Sequence, residues 1–391
     1  MQLNTLLHKV LAKSQGIHHK QRLSSVVTAV ESVMLGSNLS LTMMGRYMNR
    51  AIKPRSKIQT INYLLGNGHL HRERTSLYAA HNTWLCQGMT MHYVLMDWSS
   101  LVAHEQHVLR ASIVKRGRAM VLYEEIHAEK NLGKSSIHET FLARLATVLP
   151  KDINVCIVTD AGFKTDFLKQ VEAMGWAYVG RLLTNMHYTS THKAHWRPCM
   201  ALYDEATSTP RDKGQVILSK SNQLTTRLYV YKQKKHQASR RKQTVIKYGK
   251  KEREQKNAAN KPWLIASSLT LPARHIMRIY TTRMKIEHDF RDTKDPVHGL
   301  GIKQSRCRDP KRLTLQLLMG MLAAFALWLI GLCLEKKNLH YDFQANSIKH
   351  KRVLSLIFLA LEAIRSGYLR RLNNEEIMAM ACQQKAVECG G

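Results

Sequence analysis

An α/β fold, a mixed sheet flanked by helical regions at both ends, is predicted from two features of the chain. Apolar residues recur at helical spacing up to about residue 80, then give way near residue 90 to short β-branched and aromatic runs. After three such runs, strands and helices alternate. With 391 residues, 44% of them hydrophobic, the chain can bury a core and make two or three domains.

The elements follow in order. His18–Leu35 places Leu23, Val26, Val27, Val30, Val33 and Met34 at helical spacing and stops at Gly36; Ser40–Met48 and Lys57–Leu65 are further helices. Arg46, Arg50, Lys53, Arg55 and Lys57 lie among them, which suits a DNA-binding head or an ordinary helical domain with a charged surface. Tyr93–Asp97, Leu109–Val114 and Ala119–Ile126 read as an antiparallel meander. A helix over Ser136–Leu149, a buried strand at Val155–Thr159, a helix over Phe163–Met174 and a strand at Trp176–Leu182 complete the order β-β-β-α-β-α-β. That order is the one of a ribonuclease H-like mixed sheet.

Residues 184–262 interrupt the alternation and read as a β-rich insertion, with short strands at Gln215–Leu218 and Thr226–Tyr231. From Lys232 to Lys261 stand twelve Lys or Arg against two Glu, either a solvated segment or a loop that grips phosphates. Trp263–Ser267 returns to strand, Pro272 opens a helix running to about Lys294, and helical residues Val353–Leu372 close the pattern.

Charge narrows the partners. The chain carries 60 Lys plus Arg against 28 Asp plus Glu, a formal +32, which draws in polyanions: nucleic-acid phosphate backbones first, an anionic membrane surface second, with a plain surplus of solvated lysine as the blander reading. The seven cysteines include no CxxC pair and suit reduced thiols in a cytosol, and no secretion leader is expected. Residues 313–334 run 22 positions without a charge. They are long enough to cross a bilayer, but their place inside a basic chain favours a buried core helix. No Gly-rich phosphate loop appears, so no nucleotide cofactor is expected. His192 and His195 have no ligand set around them, which favours surface or packing roles over zinc.

Acidic residues are scarce, which makes three of them conspicuous. Asp97 ends the first apolar strand in YVLMDWSS, and Asp160 ends the buried strand in VCIVTDAGF. Each could cap the next turn; in the predicted strand order both would also meet at one rim of the sheet, as a metal site requires. In IYTTRMKIEHDFRDTK, Tyr280, Arg283, Glu287 and Lys294 fall on one helical stripe, while Asp289 and Asp292 fall on other faces. A carboxylate between a phenol and two cations suits a metal facing phosphates; the plainer reading is a solvated stripe of ion pairs.

Tyr280-x2-Arg283-x3-Glu287-x6-Lys294, with MDWSS around Asp97 and TDAGF around Asp160, resembles the insertion-sequence-four family of DDE (Asp-Asp-Glu) transposases over nearly the whole chain. Within it the chain resembles the transposases of composite transposons ten and five, ten more than five. The resemblance implies cut-and-paste transposition: metal-dependent nicking, hairpin formation and opening at the element ends, then strand transfer into target DNA. It implies Asp97, Asp160 and Glu287 as catalytic ligands of two Mg²⁺ ions, with Mn²⁺ as a substitute, and Tyr280, Arg283, Arg291 and Lys294 as phosphate or hairpin contacts. It also implies that Trp263 and Met284 handle a flipped base, although Trp263 at a strand start equally suits core packing.

The expected organisation is a helical DNA-binding head over 1–85, a ribonuclease H-like catalytic core over 86–310 with the insertion at about 184–262, and a helical tail over 311–391 that could pair two copies. Expected partners are the terminal inverted repeats and target DNA, bound by a homodimer assembled on DNA, with no membrane. The expected location is the bacterial cytoplasm, at the nucleoid. The alternative function is a sequence-specific DNA-binding repressor with a decayed catalytic core.

Overall fold

The computed structural model describes residues 3–11, 19–101, 105–190, 195–233, 261–345 and 347–383. Most of the basic run 232–261, and His192, therefore lie outside the described residues. The chain forms two compact units, one from Met1–Asn154 with Met284–Val387, the other built on Val155–Arg283.

The first unit opens with helices α1 (Leu3–Leu11), α2 (Lys20–Gly36), α3 (Leu41–Arg46), α4 (Pro54–Leu65) and α5 (Gly68–Leu85). The meander follows as β1 (His92–Leu101), β2 (Gln106–Lys115) and β3 (Arg118–Ala128), antiparallel throughout, and then α6 (Ser135–Val148). After the second unit the chain returns as α9 (Met284–Lys294), α10 (Pro310–Lys336), α11 (Leu356–Arg365) and α12 (Asn374–Gln383).

The second unit is a mixed sheet. Strands β4 (Val155–Thr159), β5 (Ala177–Arg181), β6 (His187–Ser190), β7 (Arg197–Pro198), β8 (Arg211–Leu218), β9 (Leu224–Tyr231) and β10 (Trp263–Ser267) lie in the order β4-β5-β10-β9-β8-β6-β7. Only β4 and β5 run parallel, joined by α7 (Thr165–Ala173); the other pairs are antiparallel. Helix α8 (Ala273–Thr281) ends the unit.

Two sequence expectations need correction. Strand β1 continues through Leu101, so Asp97 sits within it rather than at its end, opposite Arg110 of β2. The helix expected from Pro272 to about Lys294 is two helices, broken at Thr282 and Arg283. There the amides of Thr282 and Arg283 bond the carbonyls of Ile279 and Tyr280 in tight i−3 turns. The hydroxyls of Thr281 and Thr282 also take the carbonyls of Arg278 and Ile279. Side chains that compete for backbone carbonyls in this way shorten a helix. Tyr280 and Arg283 thus belong to one unit, Glu287 and Lys294 to the other.

The apolar stretch 313–334 forms α10, begun by an Asp309 cap on the Lys311 amide and by Pro310. It is long and apolar enough to cross a membrane, yet 94% of its most apolar window is buried inside the fold. Helices α2, α11 and α12 and strand β3 pack around it, and Trp328 Nε1 donates to the Arg116 carbonyl at 3.1 Å. Gly331 lets α11 approach: a Cβ there would lie 2.3 Å from the Leu356 carbonyl oxygen. In a helix interior Ala is worth about 1 kcal/mol more than Gly, but forced overpacking costs roughly 1–3 kcal/mol against a backbone that cannot yield. Gly331→Ala should therefore lower the melting temperature; a rise would show that α10 and α11 are not so close.

Candidate active site

Asp97 and Glu287 reach one open cleft from different elements. Val94, Leu95 and Met96 are fully buried and anchor β1, leaving Asp97 half-buried at the margin, with Oδ1 accepting from the Trp98 amide at 2.8 Å. Glu287 lies in the first turn of α9, where the helix dipole favours a carboxylate, and is exposed. Arg291 and Lys294, one and two turns on, line the same cleft with Ser99, Phe290, Asp295, Pro296 and Lys303. Lys294 is tied across to β1, donating to Ser99 Oγ and the Ser100 carbonyl at 2.6 Å each. Burial pushes its ammonium down to about 8, helped by the charges of Arg110 and Lys303 and opposed by Asp97.

What holds α9 against the meander is a set of buried ion pairs. Arg110, fully buried, meets Glu124 Oε2 through Nη2 at 2.6 Å and Asp289 Oδ1 through Nη1 at 3.2 Å. It also donates to Thr293 Oγ1 at 3.1 Å, and its guanidinium lies 4.5 Å from the Phe290 ring centre. Ser112 Oγ donates to Asp289 Oδ2 at 2.7 Å, and Arg118 Nε meets Asp292 Oδ2 at 2.9 Å. Burial raises the carboxyls of Glu124 and Asp289, with Arg110 opposing, and raises Asp292 to about 7 against the pull of Arg118. Asp289 and Asp292 do lie on other faces than Glu287, as the stripe implies, but they are the anchors that fix its helix.

Sequence reasoning missed Arg110, Glu124 and Arg118, and the two serines that hold Lys294. A usable signal was present: a charge inside each of two β-branched runs, Arg110 in VLRASIV and Glu124 in VLYEEI, asks for a buried partner.

The second unit holds Asp160, Trp263, Tyr280 and Arg283. Asp160 follows β4, half-buried, its Oδ1 accepting from the Gly162 amide at 2.8 Å as a turn cap does. Tyr280 is buried edge-to-face with Trp263, ring centres 5.0 Å apart, and Trp263 also meets Tyr231 at 5.5 Å. Burial raises the Tyr280 phenol, Arg283 and Arg181 pull it down, and Asp160 pushes it up. Arg181, at the end of β5, is another cation the sequence did not single out. Met284, in the first unit at the start of α9, is 49% exposed, unusual for a large apolar side chain.

Among the described residues, no group of three or more His, Cys, Asp or Glu is placed to hold a metal ion by itself. The donors of the Asp97–Glu287 cleft still suit one: a magnesium-sized ion takes one or two carboxylates and completes its shell with waters and substrate phosphates.

Comparison with known proteins adds three findings. A family profile described as "Transposase DDE domain" matches residues 97–326, from the first of these acids past the last. No curated protein matches the chain. Among solved structures, a piggyBac transposase synaptic complex with hairpin DNA is similar over 100% of this chain and 84% of that one, at 10% identity and a TM-score of 0.43. That likeness is too slight to bear on function.

Proposed function

The chain belongs to the Transposase DDE domain family, whose profile covers more than half of it, and from that premise we propose that it excises an insertion sequence and joins it to target DNA. The family makes it a transposase, and enzymes of this family use divalent metal ions. The observation that carries the finer reading is the cleft where Asp97 and Glu287 stand with Arg291 and Lys294. Such a mixture of hard carboxylates and cations suits a phosphodiester and the ions that activate it.

In this reading the fold is ribonuclease H-like, and the chain is of the insertion-sequence-four kind, nearest the transposases of composite transposons ten and five. Asp97, Asp160 and Glu287 are its catalytic acids. They would hold two Mg²⁺ ions, with Mn²⁺ able to substitute, and bound metal would polarise the phosphoryl group and lower the barrier to in-line displacement. Lys294, fixed to Ser99 and Ser100, offers a phosphate a cation that needs little ordering. Arg291 lines the same cleft, and Tyr280 and Arg283 are further hairpin contacts. Residues 1–85 serve as the DNA-binding head for the terminal inverted repeats, 86–310 as the catalytic core, and 311–391 as a tail that pairs two copies on DNA. Its place of work is the bacterial cytoplasm, at the nucleoid.

Trp263 and Met284 are proposed to stack and replace a base flipped out at the hairpin. Base–aromatic stacking is worth about 1–3 kcal/mol, roughly a ten- to hundredfold rate effect. Trp263→Ala and Met284→Ala should slow hairpin formation or opening by that factor and leave first-strand nicking nearly intact. If Trp263→Ala slows every step equally and lowers the melting temperature, its role is packing against Tyr231 and Tyr280.

The overall reading is tested by incubating the purified protein and Mg²⁺ with the DNA that flanks its reading frame. Hairpin-ended products and joining to a second duplex are expected. DNA that is bound but never cut, in either Mg²⁺ or Mn²⁺, would leave the repressor reading in its place.

A further inference from the structure

We infer that Lys303 is a phosphate-holding residue of the cutting site, an inference that rests on the strand-cutting reading of the Asp97–Glu287 cleft. Lys303 is exposed and lines that cleft with Asp97, Glu287, Arg291 and Lys294, yet it lies nine residues beyond α9 and outside the helical stripe.

Its backbone is fixed from several sides. The Leu300 amide donates to the Asp292 carbonyl at 2.7 Å and the Gly301 amide to that of Asp295 at 3.0 Å, so the segment is bound to the end of α9. The Leu39 amide donates to the Leu300 carbonyl at 2.9 Å, which ties it to the chain just after α2. Gly301 has φ +60°, and a Cβ there would meet Asn38 Nδ2 at 3.3 Å, so glycine makes the turn. On either side of Lys303, Ile302 is buried and Gln304 bonds Asn38, while Ser305 Oγ donates to the buried Gln316 at 3.1 Å.

Among residues so firmly held, Lys303 alone turns a long charged side chain into the cleft. Its ammonium shares that space with Lys294 and Arg291, cations that repel one another and that an anion lying between them would compensate. A phosphodiester fits this arrangement, and a pre-placed ammonium holds it with little ordering cost. Free phosphate shares the chemistry, so the test must separate the two.

The full-length protein is treated with a lysine-acylating reagent alone, with the duplex that flanks its reading frame, or with inorganic phosphate at equal phosphate concentration, in Ca²⁺. Lys303 should be protected several-fold by the duplex and not by inorganic phosphate. In single-turnover cutting, Lys303→Ala should lose roughly ten- to hundredfold, as for a charged hydrogen bond, and Lys303→Arg should recover most of it. Lys349→Ala, the same charge change at an exposed site outside the cleft, should cut near the wild-type rate. Equal acylation of Lys303 with and without duplex, protection by inorganic phosphate alone, or cutting by Lys303→Ala at the rate of Lys349→Ala, overturns the assignment. If the wild type binds the duplex without cutting it, the strand-cutting reading falls, and protection still decides whether Lys303 contacts DNA.

Discussion

Asp97→Ala, Asp160→Ala and Glu287→Ala should each remove nicking, hairpin formation and strand transfer together, by about a thousandfold or more, while the protein still folds and binds DNA. The expectation follows from assigning one set of acids to every step: metal ligation contributes several kcal/mol to the transition state, and each 1.36 kcal/mol is tenfold in rate. Folding should survive because none of the three is a core residue. Glu287 is exposed, and Asp97 and Asp160 are half-buried, each accepting a bond from a backbone amide within two residues. Single-turnover assays on flanking DNA in Mg²⁺, with thermal melting and DNA binding on the same samples, check this. A Glu287→Ala protein that nicks at the wild-type rate would remove that residue from the site.

The opposite outcome is expected two residues along the same helix. Asp289→Ala should cost about 3–5 kcal/mol of stability, the usual effect of removing one partner of a buried ion pair. Arg110 would lose an acid 3.2 Å away and remain fully buried, and Ser112 would lose its 2.7 Å acceptor. Set against a typical total of about 5–15 kcal/mol, that loss threatens the fold itself. Arg110→Ala should be at least as damaging, because it strands Glu124 and Asp289 together. Urea unfolding measures both. An Asp289→Ala protein with an unchanged midpoint would show that the Arg110 cluster does not hold α9. The contrast makes Asp289 a poor neutral control for Glu287, despite its position on the same helix.

How much was legible in the sequence depended on how local the cause was. Strands β4 and β10 were read to the residue, since each is a short apolar run bounded by turn residues. Helix α10 was legible from its uninterrupted apolar composition. Helix α5 was not singled out because its buried face includes His81 and Asn82. Their partners, the carbonyls of Val121, Leu122 and Val148, are 40 or more residues away. Within the site, Glu287 and Lys294 were legible as members of one helical stripe because their spacing sets their common face, while Arg291 came only from the family resemblance. The break at Thr282 was not, since two threonines in a helical pattern do not announce which carbonyls they will take. Arg110 and Lys303 stayed hidden for a related reason. Each owes its place to bonds with segments distant in sequence, and spacing records none of them.

Whether Asp97, Asp160 and Glu287 hold the metal ions that cut DNA can be tested without DNA of known sequence. Fe²⁺ accepts the same carboxylate oxygens as Mg²⁺ and, with ascorbate and peroxide, releases hydroxyl radicals that cut the nearest polypeptide backbone. Chain cleavage is expected near residues 97, 160 and 287, suppressed by excess Mg²⁺ and lost together in Glu287→Ala; cleavage elsewhere, or a pattern that Glu287→Ala leaves unchanged, would rule out these three acids as the metal ligands.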